Sequence, residues 1–263
     1  MDWRSQHPPP RPAHVQKEDV DMLPPQSLPP APRCIGTVRE LLVGSVAELP
    51  GHATARSAID KRPAGQAVAL GDWGLAGDQQ ADTKIHGGHD KAVHVYPWSH
   101  YHYWRRQLPG CTVLDQAGAF GENFSVIRLD ESDVCIGDRW AVGSAILEVS
   151  QGRQPCWKLN ARFATPDMAQ RVQNSLRTGW YCRVLRSGVV SLHDTIDLVD
   201  RPHPDWSLET LLGMIRDREC DSDVLAAVLK LPLTDSWRRL FSRRRDSGAP
   251  ERWEARMTGP AGA

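Results

Sequence analysis

The chain has 263 residues, 32 Lys and Arg against 32 Asp and Glu, and 40% hydrophobic residues, which describe a globular protein of one or two domains. A formal net charge of zero provides no overall field for nucleic acid or an anionic membrane, and no apolar run approaches a spanning helix. We therefore expect no nucleic-acid partner and no membrane partner. No apolar signal stretch follows the first basic residues, so the sequence predicts a cytoplasmic protein.

Composition divides the chain into four segments. Residues 1–33 contain nine of the twenty prolines and fewer apolar residues than the rest of the chain, which predicts a disordered proline-rich tail. We expect a β-rich domain over 34–203, a three-helix module over 204–246 and a flexible tail over 247–263. The six cysteines include no C-x-x-C pair, and we expect reduced thiols.

Strand and turn signals dominate the β-rich domain. Alternating apolar runs recur at regular spacing, with tight turns predicted at Gly143-Ser144 and Ser187-Gly188. Two helices interrupt the strands: one begins at Trp98, and the other has Thr165 as its N-cap and Gly179 as its stop. Because little helix separates the strands, the pattern predicts two hairpins and a mainly β barrel or sandwich rather than a parallel α/β sheet.

Helical periodicity takes over after Pro204. Behind Ser207 as N-cap, apolar residues over 208–215 recur at i, i+3, i+4 and i+7. Shorter apolar faces follow at 225–229 and 237–241. These three faces predict the small three-helix C-terminal module.

The densest polar stretch runs from Gly71 to Tyr96, where glycine turns alternate with acids, lysines and histidines. Lys84 and His86 lie two residues apart and therefore share one face of an extended segment. A cation beside a titratable imidazole suits an anionic ligand or a proton transfer. Gly87-Gly88 would allow backbone N–H groups to approach a bound anion closely.

A zinc site built from His86, His89 and His94 is the competing interpretation of this stretch. Zinc ligands on a helix recur as H-x-x-x-H, and the glycines after His86 disfavour a steady helix, so the spacing supports zinc only weakly. We expect His100 and His102 on the exposed face of the following helix.

The run SQGRQPCWKLN, residues 150–160, follows an alternating strand. Arg153 precedes Cys156 by three residues and Lys158 follows it by two, and two nearby cations are expected to lower the pKa of a thiol. Such a thiolate can act as a nucleophile, a persulfide carrier or a soft metal ligand. The alternative is a cysteine that serves as a small buried hydrophobe.

Two glycine-containing turns complete the candidate set. GAFGENFS, residues 118–125, presents Glu122 and Asn123, and IGDRW, residues 136–140, presents Asp138. Composition alone predicts structural turns at both places.

Together these runs resemble the MOSC domain family, named for the C-terminal domain of molybdenum cofactor sulfurases, and within it the stand-alone YiiM-like proteins linked to 6-hydroxylaminopurine resistance. The resemblance covers roughly residues 34–201, and the following helices look like the short helical module of that subgroup. The matching motifs are G-D-x-Q-A-D at Gly77–Asp82, H-G-G-x-D-x-A-V-x-x-Y-P at His86–Pro97, F-G-E-N at Phe120–Asn123, I-G-D at Ile136–Asp138 and S-Q-x-R-x-P-C-x-K-L at Ser150–Leu159.

The resemblance implies a bent β-barrel that holds the pterin-based molybdenum cofactor (molybdopterin). Cys156 matches the cysteine that binds molybdenum or carries sulfur, Lys84 and His86 match a basic pair near it, and Arg153 matches an arginine of the same loop. We accordingly expect Cys156 to bind molybdenum. Arg153 and Lys84 would hold anionic groups, His86 would donate a proton, and Gly87-Gly88 would admit the cofactor.

Through its F-G-E-N motif the resemblance also places Asn123 among the cofactor-binding residues. The implied activity is that of a molybdenum-dependent oxidoreductase that reduces N-hydroxylated compounds, such as hydroxylaminopurines, to amines as a detoxification. No G-x-G-x-x-G follows a strand, so the electrons are expected from a separate reductase.

A basic cluster near the C-terminus is a candidate docking surface for that reductase, with a solvated helix face as the alternative. Its members are Arg238, Arg239, Arg243, Arg244 and Arg245.

Two other functions remain open. One is a sulfur carrier with a persulfide on Cys156, which would need a sulfur donor in trans, because no desulfurase domain with a Schiff-base lysine is present and no pyridoxal phosphate site is expected. The other is a non-catalytic module that binds the cofactor or a metal.

Overall fold

A computed structural model describes residues 33–81 and 87–259, without the side chains of residues 53 and 54. The predicted disordered tail therefore lies outside the described residues, apart from Arg33. Lys84 and His86 also lie outside them. In the part of the chain that is described, no helix combines the length and the apolar character needed to cross a bilayer.

The secondary structure of the described residues is mainly β. The strands are β1 (Arg33–Gly44), β2 (Ala47–Leu49), β3 (His52–Ser57), β4 (Lys61–Pro63), β5 (Ala67–Gly71), β6 (Gly74–Leu75), β7 (Val93–Pro97), β8 (Phe124–Ile127), β9 (Arg139–Val142), β10 (Ala145–Gly152), β11 (Trp180–Arg186), β12 (Gly188–Ser191) and β13 (Thr195–Asp200). The α-helices are α1 (Ser99–Gln107), α2 (Lys158–Arg162), α3 (Met168–Ser175), α4 (Leu208–Arg216), α5 (Ser222–Val228), α6 (Asp235–Ser247) and α7 (Glu254–Thr258).

Seven strands close into a barrel in the order β13-β9-β10-β11-β7-β8-β1, with β1 pairing back to β13. The 12-residue β1 also pairs with β4, and its register shifts between Cys34 and Gly36 and again between Val38 and Glu40. Such bulges bend a strand and allow it to turn the corner that barrel closure requires. The predicted bent β-barrel is confirmed.

Tryptophans fill much of the interior. Trp140 of β9 and Trp180 of β11 are almost fully buried, with ring centroids 6.0 Å apart in an edge-to-face arrangement. The helices contribute to the same hydrophobic core, which includes Leu211 of α4 and Trp237 and Phe241 of α6. The barrel and the C-terminal helices are therefore held together by shared apolar packing.

One predicted hairpin is confirmed and the other is wrong. Gly143-Ser144 joins β9 to β10, with Val142 paired to Ala145. At Ser187-Gly188 the chain leaves β11, and β12 pairs with β5 instead. One edge of β11 is occupied by β10 up to Arg186, and β12 finds its partner in β5 over Ala67–Leu70.

The predicted helices are confirmed with one shift of boundaries. Helix α1 follows Trp98 as expected, whereas α3 begins at Met168 rather than directly after Thr165. It ends before Leu176, which adopts the left-handed region at φ 59°. A residue in that conformation cannot continue a right-handed helix, so α3 stops before the predicted Gly179.

The three helices of the C-terminal module each have a side-chain N-cap. Ser207 accepts a hydrogen bond from Thr210 N, Asp221 caps α5, and Thr234 accepts from Trp237 N. These caps satisfy backbone donors that the first turn leaves unpaired. The three-helix module is therefore present as the periodicity predicts.

The chain beyond α6 differs from the flexible tail that we expect from composition. Residues 249–259, here called the C-terminal strap, contain α7 and bury Trp253 and Met257 four residues apart. Arg244 of α6 is also fully buried and binds Glu251 of the strap through Nε and Nη2, at 2.8 and 2.9 Å. The remaining part of the predicted tail, residues 260–263, lies outside the described residues.

The Glu251 ion pair predicts a specific response to acid. Burial raises the pKa of the Glu251 carboxyl, but hydrogen bonds from Arg244 and Trp253 outweigh it and lower the pKa to about 2, from 4.5. A carboxyl whose pKa is lower in the folded than in the unfolded state stabilises the fold when the pH is above its unfolded-state pKa. This stabilisation is lost as the pH falls through the folded-state pKa of about 2. We expect Glu251→Gln to lower the unfolding midpoint at pH 7, and the difference from wild type to shrink between pH 4.5 and 2. A constant difference in urea titrations across that window would contradict this.

Candidate functional site

A cleft with an empty volume of about 620 Å³, including its open mouth, lies at one end of the barrel. Cationic side chains and Cys156 line it together with a few apolar groups. Its lining residues are Ser57, Ala58, Ile59, Lys61, Gln79, Gln80, Ala81, Lys91, His94, Phe120, Gly121, Asn123, Arg153, Cys156, Lys158 and Tyr181. The structure thus brings together Arg153, Cys156 and Asn123 of the predicted site.

Cys156 lies in the loop between β10 and α2, residues 153–157, here called the cysteine loop. It is half-buried and forms no disulfide with the cysteines that the structure describes. Lys158 begins α2 and donates a hydrogen bond to Arg56 O at 3.2 Å. A partly accessible thiol at the edge of a cationic cleft matches the setting of reactive and metal-binding cysteines.

Arg153 is only 6% exposed, and its backbone N–H donates to Gly179 O at 2.9 Å. Its guanidinium Nη1 is buried and has no hydrogen-bond partner among the residues that the structure describes. A buried charged donor without a partner is costly, so this nitrogen is available to an anionic group in the cleft.

His94 of β7 is a cleft residue that sequence reasoning assigned only to a zinc alternative. It is almost fully buried, and burial together with the positive charge of Arg153 holds the pKa of its imidazole well below the usual range. The ring is therefore neutral at pH 7. Its Nε2 has no hydrogen-bond partner among the described residues.

Tyr181 of β11 places a phenol beside these groups. Its ring lies 5.0 Å from the His94 ring, between centroids, and Lys91 Nζ lies 5.7 Å from its centroid. Burial raises the pKa of the Tyr181 phenol, and Arg153 offsets this only in part. The hydroxyl therefore stays protonated at neutral pH.

A buried ion pair forms another wall of the cleft. Lys61 Nζ binds both carboxylate oxygens of Asp78, at 2.5 and 2.6 Å, and Asn123 Nδ2 donates to the same carboxylate at 2.8 Å. Asn123 Oδ1 also accepts from His94 N at 3.0 Å. Asn123 thus fixes the cleft wall to β7, and its side chain is fully occupied by the protein.

The loop after residue 86 borders this region. Gly88 adopts φ 95°, which side-chain-bearing residues rarely adopt, and Gly87 precedes it. His89 stacks on the exposed Trp73 with ring centroids 4.0 Å apart. Within 33–81 and 87–259 no group of three or more His, Cys, Asp or Glu side chains is arranged to hold a metal ion.

The expectation of an exposed His100 is wrong, because its Nε2 lies 2.7 Å from Glu131 Oε2 and the side chain is buried. His102 is exposed as expected. Glu122 accepts from Gly118 N and Phe120 N, and Asp138 pairs with Arg201. Both acidic turn residues are structural, as composition predicts.

Two other cysteines are unsuited to thiolate chemistry. Burial raises the pKa of the thiols of Cys135 and Cys182, and Cys182 is fully enclosed. Both remain protonated at neutral pH, since desolvation disfavours the charged form. Cys156, by contrast, lines the cleft.

Gly179 holds the backbone of the cleft residue Arg153, and its surroundings predict a large effect of substitution. It has φ 70°, accepts from Arg153 N and donates to Glu131 Oε1, and an added Cβ would overlap the Val95 carbonyl oxygen and the Tyr96 ring. We expect Gly179→Ala to lower the free energy of unfolding by roughly 2–4 kcal/mol in urea titrations.

A matched control for this substitution lies in α4. Gly213 is helical, and nothing lies within 4 Å of an added Cβ. Alanine there should be neutral or stabilising by up to about 1 kcal/mol. Equal destabilisation by the two substitutions would contradict the role of Gly179.

Comparison with known proteins identifies the family. The sequence profile described as "MOSC domain" matches residues 82–197. The chain is 39% identical over 204 residues to Protein YiiM of Escherichia coli (strain K12), covering 77% of this chain and 91% of YiiM. The crystal structure of E. coli YiiM superposes with a TM-score of 0.70 at 32% identity, covering 86% of this chain and 99% of that chain.

A further relative, named "Reductase", comes from Gibberella moniliformis (strain M3125 / FGSC 7600). It is 37% identical over 226 residues, which are 85% of this chain and 39% of that protein. The chain thus spans about two fifths of that relative's length. By sequence and by barrel architecture, the chain belongs to the MOSC domain family as a YiiM-like member.

Proposed function

We propose that this protein binds the molybdenum cofactor in the cleft and reduces N-hydroxylated compounds, such as hydroxylaminopurines, to amines. The observation that carries the proposal is that Nη1 of buried Arg153 has no partner among the described residues and lies in the same cleft as the Cys156 thiol. A soft thiolate suits molybdenum, and a buried guanidinium suits a phosphate.

The donor set fits the cofactor. Cys156 would supply the sulfur ligand, and Arg153 and Lys91 would bind the anionic parts of the pterin, with Lys84 as the expected third cation outside the described residues. The cofactor, when bound, would supply a metal that accepts oxygen and exchanges electrons in pairs. The apolar faces of Ile59 and Phe120 would exclude water from one side of the cleft.

Proton supply follows from the protonation states of the cleft. Conversion of an N-hydroxylamine to an amine and water consumes two electrons and two protons. The Tyr181 hydroxyl is a protonated donor beside the cleft, the neutral His94 imidazole offers a hydrogen-bond donor or acceptor there, and His86 remains the proton donor expected from the family motif. Burial and the positive charge of Arg153 keep His94 neutral, so its imidazole would orient a bound ligand by hydrogen bonding rather than act as an acid.

The proposal requires a separate reductase as electron donor, and the relative named "Reductase" supports the redox class. Of the predicted arginine cluster, Arg244 belongs to the buried core, whereas Arg238, Arg239, Arg243 and Arg245 are exposed. We propose these four as the docking surface.

We expect Arg239→Glu with Arg243→Glu to slow reductase-coupled turnover and leave molybdenum content intact; unchanged turnover with the purified reductase would contradict docking there.

The direct test is purification of the full chain from a host that makes the cofactor, with elemental analysis, pterin release and an assay of 6-hydroxylaminopurine reduction driven by a reduced viologen dye. We expect near-stoichiometric molybdenum and formation of adenine. Molybdenum without amine formation would favour a binding module. A cyanide-labile sulfur on Cys156 without turnover would favour a sulfur carrier.

A further inference from the structure

The C-terminal strap contacts the cysteine loop on both sides of Cys156. Arg256 O accepts from Trp157 N at 2.8 Å, and Arg256 Nη1 donates to Pro155 O at 2.5 Å. The other terminal nitrogen, Nη2, donates to Gln173 Oε1 of α3 at 2.6 Å. One strap residue therefore fixes the two neighbours of the cleft thiol and ties them to a helix.

Further contacts extend this attachment. Asn160 of α2 donates from Nδ2 to Met257 O at 2.8 Å, and its Oδ1 accepts from Ala169 N. Gly259, with φ 82°, lies so close to the Trp157 ring that an added Cβ would stand 2.9 Å from it. The strap therefore packs against the residue that directly follows Cys156.

The strap is firmly attached at its other end. Glu251 accepts from Arg244 and from Trp253 Nε1, the latter at 2.6 Å. Arg244 also donates to Met214 O and Ile215 O of α4, at 2.9 and 3.1 Å. The strap is thus anchored to two helices of the C-terminal module before it reaches the cysteine loop.

The cysteine loop has little internal hydrogen bonding of its own. It leaves β10 at Gly152, Pro155 has no backbone N–H, and the Trp157 N–H is bound by the strap. A loop with few internal bonds opens easily unless neighbouring segments hold it. Its order in this structure therefore depends on contacts from outside the barrel.

We infer that the C-terminal strap positions the cysteine loop, with Arg256 as the positioning residue that keeps Cys156 at the cleft. The hydrogen bonds between Arg256 and the cysteine loop do not depend on the proposed function. Only the role of Cys156 as a ligand rests on it. The three-helix module thereby gains a role, because it provides the rigid base from which the strap reaches the loop.

The test is backbone hydrogen exchange, followed by mass spectrometry, on the full-length cofactor-free protein. We expect Arg256→Ala to speed exchange of the amides over residues 156–160 by about tenfold, the effect of losing one to two hydrogen bonds, with β10 unchanged. Arg256→Lys should restore part of the protection, since an ammonium can still donate to Pro155 O. Unchanged loop exchange, or equal acceleration throughout the chain, would overturn the inference.

A matched control removes an arginine–carbonyl contact elsewhere. Arg105 of α1 donates to Leu114 O through Nε and Nη2, at 3.1 and 2.7 Å. Arg105→Ala should leave cysteine-loop exchange at the wild-type rate, and acceleration there by this variant would overturn the specific role of Arg256.

A second readout separates this inference from the proposed function. In protein from a cofactor-producing host, Arg256→Ala should retain several-fold less molybdenum than wild type. Molybdenum content equal to wild type despite faster loop exchange would overturn the positioning of Cys156. If wild type itself binds no molybdenum, the proposed function fails while the exchange result still decides the role of the strap.

Discussion

Cys156→Ser should remove almost all bound molybdenum while the protein keeps its fold. Serine is close to cysteine in size, and the half-buried thiol forms no hydrogen bond to the residues that the structure describes, so we expect a wild-type unfolding midpoint. A hydroxyl is a poor ligand for a thiophilic metal. Loss of a residue that only supports a metal ligand lowers metal affinity or activity by about 10–100-fold. Because Cys156 would be the ligand itself, we expect at least a 100-fold loss of viologen-driven turnover.

Cys220→Ser is the matched control for this substitution. Cys220 is also half-buried and reduced, but it lies between α4 and α5, away from the residues that line the cleft. It should retain wild-type molybdenum and turnover. Stoichiometric molybdenum in Cys156→Ser, measured by elemental analysis, would rule out the cysteine as the ligand.

Arg153→Met should have opposite effects on cofactor binding and on the stability of the cofactor-free protein. Methionine retains much of the buried volume and removes a charge that forms no ion pair within residues 33–81 and 87–259. We expect the cofactor-free variant to be at least as stable as wild type. Loss of a charge-assisted hydrogen bond of about 1.5–3 kcal/mol should weaken cofactor binding by about 10–150-fold.

Two measurements check this expectation: the unfolding midpoint without cofactor, and the rise in that midpoint when cofactor is supplied. Arg153→Lys keeps the positive charge but loses the planar guanidinium, which can donate two parallel hydrogen bonds. Its cofactor affinity should therefore fall between those of wild type and Arg153→Met. A cofactor-free Arg153→Met that unfolds several kcal/mol more easily, with unchanged affinity, would instead make Arg153 a structural residue.

The barrel was predictable because strand alternation and tight turns are local signals. The Gly143-Ser144 turn joins neighbours in sequence, and residues within a short window determine it. The pairing of β12 with β5 depends on which strand edges remain free in the folded barrel. No local pattern reports that, and the second hairpin prediction was wrong for this reason.

Only the site residues that belong to a sequence motif could be predicted. Arg153 and Cys156 fall within one run of the sequence, and Asp78 belongs to the G-D-x-Q-A-D motif, whereas its partner Lys61 gave no signal. His94 sits in a strand motif, and only its burial beside Arg153 identifies it as part of the cleft. Its position between Val93 and Val95 is the one sequence signal of a buried histidine.

The C-terminal strap was missed because its helix is short and lies among Gly and Pro residues. Its attachment depends on the pairing of Arg244 with Glu251, seven residues away, and on backbone carbonyls of α4. Exposed arginines and a buried arginine look alike in sequence, so Arg244 was grouped with its charged neighbours. Tertiary context alone distinguishes them.

The parallel pairing of β7 with β8 has a consequence for how the protein matures. A parallel pair cannot be joined by a tight turn, and the connection of residues 98–123 must dock before Asn123 meets His94. Contacts that close such long loops form late in folding and slowly. The cleft wall is therefore completed only in the nearly folded chain, and cofactor insertion should follow folding of the barrel rather than assist it.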